Sequence, residues 1–294
     1  MLENLFLQEI FSSKMLLRES GLNAIDNTVR NIIEGKPVLK EETKTNNISG
    51  VFIPETEEPK KNPYDDFEYN SVVIIPIVGI MLKYGYWWRY GCDDSAELVR
   101  LADQSPKISG TVLLFNTPGG TTSSIIQLED AMRNRTKKSV ALIDYQCCSA
   151  GMYVASFCDE LYSMNRMCEV GSIGTYAQFI NDTEALKNRG YKIEQIYPPE
   201  SKYKNLPERE AMEGKPDRII KEQLTPFAIH FQNIIKGNRP KLNQSTEGIL
   251  QGKVFYAYDA VEYGLIDGLL NMEQAVKRVQ ELSEIQKTIY SSFK

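Results

Sequence analysis

Histidine is almost missing from this 294-residue chain, with His230 the only one. A serine-histidine-aspartate triad therefore uses His230 or does not exist. His230 lies near the edge of the apolar stripe of the Leu224–Ile235 segment, where it reads as a structural helix residue. A disulfide framework is missing too. The five cysteines, at 92, 147, 148, 158 and 168, form neither a CxxC pair nor an even set, which fits a reducing compartment. For the adjacent Cys147 and Cys148, small buried thiols beside a turn are a better account than redox chemistry. No stretch approaches about 18 uninterrupted apolar residues, so no transmembrane helix is expected. The N-terminal run from Met1 to Phe11 has no positive n-region and carries acids among its apolar residues, unlike a signal peptide. A cytoplasmic protein is the expectation. There is no basic run, and a formal net charge of −5 argues against nucleic-acid binding.

What is present is ordinary globular material. Hydrophobic residues at 42% and charged residues at 25% suffice for one large α/β domain with an appendage. Apolar spacing over residues 1–35 predicts an amphipathic helical extension, broken near Ser20-Gly21. Residues 36–70, rich in Pro, Asn, Glu and Lys, read as a linker with one short strand at Val51-Phe-Ile53. The main domain spans 71–272. It opens on the apolar Ser71–Ile80, which has the pattern of a strand covered on both faces. An aromatic loop follows with Trp87 and Trp88, then a helix capped by Asp93 and Asp94. Further strands are read at Thr111–Asn116, Val140–Ile143 and Tyr191–Ile196. Helices are read at about 123–133, from Asn181 to Gly190, and across 216–236. This alternation predicts βαβ crossovers and a mostly parallel sheet. Residues 273–294 read as a C-terminal helix and tail.

The chemistry centres on 144–156. The strand at Val140–Ile143 gives way to Cys147, Cys148, Ser149, Ala150 and Gly151, then to a helix-like run. A serine at a tight strand-to-helix junction exposes its hydroxyl beside helix-start N–H groups, which suit an oxyanion. By itself, a Ser-Ala-Gly is better explained as a packing junction. Three other blocks add weight, namely Asn116-Thr-Pro-Gly-Gly120, Gly171-Ser-Ile-Gly174 and Lys202-Tyr-Lys-Asn205.

In that order and spacing, the four blocks resemble the signal peptide peptidase A family, serine peptidases with a Ser-Lys dyad. The resemblance covers roughly residues 70 to 270. It implies a Clp-protease/crotonase-like fold with repeated ββα units. By its motif pattern, Ser149 is the nucleophile and Lys204 the general base, with Lys202 as the rival. Ser172 orients the lysine, and N–H groups of Gly119 or Gly120 and of Ala150 form the oxyanion hole. A lysine serves as a base when burial lowers its pKa. No metal or organic cofactor is implied. The chain departs from the pattern where Ala150 replaces a glycine and Thr117 a serine, neither of which removes a catalytic group.

Without a leader or span, the chain looks most like the phage prohead protease branch, which trims capsid and scaffold proteins. That implies a polypeptide substrate, a homo-oligomer, and a place in the bacterial host cytoplasm or a procapsid. The alternatives are a soluble peptidase degrading signal peptides or other peptides, a crotonase-fold acyl-CoA enzyme, and an inactive assembly scaffold.

Overall fold

The computed structural model describes residues 15–17, 62–85, 90–179, 181 and 183–292. In chain order the elements begin with β1 (Met15–Leu17), β2 (Ser71–Val78), α1 (Cys92–Gln104), β3 (Ile108–Thr117), β4 (Gly119–Thr121), α2 (Ile125–Asn134), β5 (Lys138–Cys148) and α3 (Ala150–Ala155). Then come β6 (Glu160–Ser163), β7 (Glu169–Gly171), α4 (Thr183–Asn188), α5 (Leu206–Met212), α6 (Asp217–Ile219), α7 (Thr225–Asn238), β8 (Val254–Tyr256), α8 (Ala257–Glu262), β9 (Gly268–Leu269) and α9 (Met272–Ser292).

Strands β2, β3, β5, β6 and β9 lie side by side in that order, all parallel. β7 extends the sheet along the far end of β5, and β8 pairs with β7 antiparallel. This is the expected α/β architecture with a mostly parallel sheet. Alternation along the central strands explains it. Leu113, Phe115, Ala141 and Ile143 face one core with α1, α2, α3 and α7, while Val112, Val140 and Leu142 face Ala275 and Val279 of α9. Strands apolar on both faces need a cover on both faces, and helices supply it.

Five local expectations change. β2 is the sheet's edge strand and not covered on both faces: Ile74 and Val78 are exposed, because α9 lies mainly over β3 and β5. Tyr191–Ile196 forms no strand, since its alternating pattern finds no partner and Ile196 stays 90% exposed. The long helix over 216–236 is interrupted by a π-helical turn at Ile220–Leu224, in which the Thr225 N–H reaches back to the Ile220 carbonyl. Pro226 follows at once, and a residue without an N–H cannot continue the ordinary ladder. Residues 62–70, read as linker, make turns packed on the domain, with Tyr64 buried against Ala102 and Ile108. Of the N-terminal extension, Met15–Leu17 is strand, not helix; the rest of it, the strand at 51–53, and Trp87 and Trp88 lie outside the described residues. No helix among the described residues is long and apolar enough to cross a membrane.

Polar clasps tie the last elements to the sheet. The Arg239 guanidinium, only 5% exposed, donates to Asp267 Oδ1 at 2.8 Å, and Asp267 Oδ2 accepts the Leu161 N–H at 2.8 Å. Glu160 is held two-pronged by Arg278, at 2.7 Å on each oxygen. Hydrogen bonding by Arg278 draws the Glu160 carboxyl below its usual range. Burial pushes Asp159 up, but Arg135, Lys138 and the Ser139 N–H outweigh it and leave the carboxyl lowered.

Asp267→Asn strips the counter-charge from the buried Arg239 and should cost about 3 kcal/mol of unfolding free energy, read by urea denaturation. Carboxylates with lowered folded-state pKa add stability that is full above their unfolded values of about 4 and is lost as pH falls. The urea midpoint should therefore drop less between about pH 5 and pH 3 in Glu160→Gln than in wild type.

Candidate active site

β5 is longer than its apolar run suggests. Past Ile143 it continues to Cys148, because Gln146–Cys148 find a parallel partner in Glu169–Gly171 and Cys147 pairs with Thr117 on the other side. Ser149 then turns the chain into α3 with φ 54° and ψ −115°, a conformation L-residues seldom adopt and one that costs on the order of 1–3 kcal/mol. Backbone bonds hold it there: the Ser149 N–H donates to the Gly171 carbonyl at 2.8 Å, and its own carbonyl accepts the Tyr153 N–H at 2.9 Å. The Ser149 hydroxyl caps nothing in the helix it precedes. Ala150 and Gly151 open α3, so their N–H groups have no intrahelical acceptor. Gly151 is needed for closeness, since a Cβ there would sit 2.6 Å from Thr117 Cγ2.

The turn after β3 lies beside this junction. Thr117, fully buried, donates its hydroxyl to the Gly79 carbonyl at 2.6 Å and accepts the Gly119 N–H at 3.0 Å. Gly119, at φ 104°, therefore has its N–H engaged, and Gly120 is the glycine of the pair whose amide is turned elsewhere. A Cβ on Gly120 would fall 1.8 Å from the Met81 carbonyl oxygen, so only glycine fits.

The structure brings three of the four sequence blocks together through the backbone. Gly171 receives the Ser149 N–H, and the adjacent Ser172, at φ 54°, donates its N–H to the Lys253 carbonyl at 2.9 Å. The fourth block stands apart. Lys204 lies on an exposed turn, its N–H bonded to the Ser201 carbonyl, and the Lys202 ammonium lies 5.1 Å over the Tyr203 ring. Among the described residues no hydrogen bond or ion pair joins Lys204 or Lys202 to Ser149 or Ser172.

Sequence reading missed two supports of the junction. One is the Thr117 hydroxyl, whose signal was its place at the end of an apolar strand, in the motif position where the resemblance expects a serine. The other is Tyr153, one helical turn after Ser149. Its buried hydroxyl donates to Glu129 Oε2 at 2.7 Å and lies 3.1 Å from His230 Nε2. Burial, then the Glu129 carboxylate, pushes the Tyr153 phenol well up. His230 thus anchors α7 to α3, in keeping with a structural role. Burial, followed by Cys148 and Cys158, raises the Cys147 thiol and keeps it neutral, as a packing role requires. Among the described residues no group of three or more His, Cys, Asp or Glu is placed to hold a metal ion.

Comparison with known proteins follows the same region. The family model for peptidase family S49 matches residues 131–286, just over half of the chain. Protease 4 of Haemophilus influenzae is 23% identical over 207 residues, covering 69% of this chain and 33% of that protein. A putative signal peptide peptidase of Enterococcus faecium is 18% identical over 274 residues, covering 90% of this chain and 78% of that one. This chain thus spans about a third of the length of Protease 4. Among solved structures, a membrane-bound stomatin-specific protease in complex with a substrate peptide aligns at 16% identity and a TM-score of 0.44, over 70% of this chain and 78% of that one.

Thr117→Val keeps the volume of the side chain but leaves the Gly119 N–H and the Gly79 carbonyl without their buried partner. A loss of about 1–3 kcal/mol in unfolding free energy is expected, with faster amide hydrogen exchange at Gly119.

Proposed function

The chain belongs to peptidase family S49, and from that premise we propose that it is a serine endopeptidase with Ser149 as nucleophile. The observation that carries the reading is the strained Ser149 turn, held by the Gly171 carbonyl beside the Gly119-Gly120 strand. Strain of this kind persists where a reacting group must be held in one place.

In this mechanism Ser149 Oγ attacks a peptide carbonyl carbon while Lys204 takes its proton. The Gly120 and Ala150 N–H groups receive the developing oxyanion; Gly119, already bonded to Thr117, holds the turn that aims Gly120. Each oxyanion donor is typically worth about 2.7–4 kcal/mol in the transition state. Lys204 protonates the leaving amine, and water releases the acyl-enzyme. Ser172, one residue past the carbonyl that holds Ser149, orients the lysine. Lys204 becomes a base only when its turn closes over Ser149 and loses water, because desolvation favours the neutral amine. The homo-oligomer implied by the resemblance is where we place that closure. The four motif blocks support the peptidase family as a whole; a capsid or scaffold protein is carried forward as the substrate class from the resemblance to its prohead branch. Family membership leaves the acyl-CoA reading without support.

Fluorescein-labelled casein, followed across about pH 6 to 10, tests the dyad. Wild-type rate should rise as a lysine deprotonates, and Ser149→Ala should lower it by about 10⁴-fold or more. Lys204→Ala should do the same while Lys202→Ala does not. Hydrolysis surviving Ser149→Ala would sink the reading, and survival in Lys204→Ala alone would move the base.

A further inference from the structure

An extended polypeptide binds a sheet edge through main-chain groups, so it needs an edge whose N–H and C=O groups are not used by the sheet itself. One edge of β4 is committed. The Gly119 carbonyl accepts the Met81 N–H at 2.8 Å, and the Thr121 N–H donates to the Met81 carbonyl at 3.0 Å. Polar groups alternate from edge to edge along a strand, so the N–H and C=O of Gly120 face the opposite side.

That opposite side carries β1. It runs antiparallel to β4, with Met15 opposite Thr121, Leu16 opposite Gly120 and Leu17 opposite Gly119. Leu16 is therefore the residue whose backbone meets Gly120, the glycine assigned to the oxyanion. Roughly a hundred residues of sequence separate the two strands, so the contact is not a consequence of chain continuity. It is also small. A pair of three-residue strands is marginal on its own, which suits a segment that can leave.

We propose that this edge of β4 is a binding site for an extended polypeptide main chain and that the chain's own Met15–Leu17 fills it. The arm is an internal competitor: another polypeptide enters only when Leu16 leaves Gly120. Because the contact is made by backbone, the occupant need not match a side-chain motif, and any unstructured polypeptide is eligible to replace it. An arm that fills the edge 90% of the time would weaken apparent binding of an incoming chain about tenfold. The inference rests on the peptidase reading for the meaning of the edge, but the competition itself does not require turnover.

The register supplies a backbone-specific test. Leu16→Pro deletes the N–H that faces Gly120, whereas Met15→Pro deletes one that faces away, since Thr121 opposite it is turned to Met81. Both changes are made in the full chain carrying Ser149→Ala, so that nothing is cleaved. The probe is a fluorescein-labelled synthetic peptide with the sequence of residues 10–22, titrated by fluorescence anisotropy. Leu16→Pro should bind it about tenfold tighter than the parent and Met15→Pro with unchanged affinity. Without peptide, the Gly120 amide should exchange about tenfold faster in Leu16→Pro alone, while β3 and β5 amides stay protected and report an intact fold. Equal affinity and equal exchange in all three chains would overturn the proposal. Failure of the peptidase reading looks different: chains with Ser149 intact, with or without Leu16→Pro, would leave casein uncut while the binding difference stood.

Discussion

The hydrogen bond from the Ser149 N–H to the Gly171 carbonyl is the contact on which the candidate site depends. It ends the β5–β7 ladder and starts the turn into α3, so the same bond that finishes a piece of sheet holds the serine at a positive φ. A strained residue needs surroundings that over-determine it. Here they include Thr117 against Cys147, Gly151 against the Thr117 methyl, and the Lys253 carbonyl behind Gly171 and Ser172. Each is a backbone or small-residue contact. The junction is therefore built on close approach, which is why glycines recur around it.

Close approach needs a rigid frame, and the frame is polar as well as apolar. Arg239, Asp267 and the Leu161 amide lock the segment after α8 to β6, while Arg278 and Glu160 lock α9 to the same strand. Behind α3, the Tyr153 hydroxyl joins Glu129 of α2 to His230 of α7. Both sheet faces are thereby tied to β5 and β6, and little freedom is left where Ser149 sits. The elements that carry the lysine block are built differently. From Thr183 to Asn205 no side chain is buried, and nothing in that stretch is tied to the sheet as the frame is. The stretch that carries Lys202 and Lys204 is thus held more loosely than the junction around Ser149.

A second consequence concerns β4. Gly120 has no room for a side chain because the Met81 carbonyl lies against it on one edge, and its own N–H and C=O are turned to the other edge, where a second backbone can approach. In this chain the backbone that approaches is its own. Substrate recognition through such an edge and occupation by an internal segment obey the same hydrogen-bond rules, so the two compete as a matter of geometry.

Much of this was legible beforehand. The parallel α/β sheet followed from apolar strands alternating with amphipathic helices, and the small-residue blocks at Gly119-Gly120, Ser149 and Gly171-Ser172 marked where the backbone must turn tightly. Those are local properties, because strand periodicity and glycine permissiveness are written residue by residue. Pairing is not. Whether Tyr191–Ile196 finds a neighbour, whether β2 is an edge, and whether Met15–Leu17 forms a strand against Gly119–Thr121 depend on partners far away in the chain, which periodicity does not name. By itself, then, the sequence determined the fold class and the positions of the tight turns. The tertiary structure alone decided which amide faces which edge, and with it that Gly119 is engaged, Gly120 is covered by the arm, and Lys204 stands in solvent, because hydrogen-bond partners and burial exist only once distant segments meet.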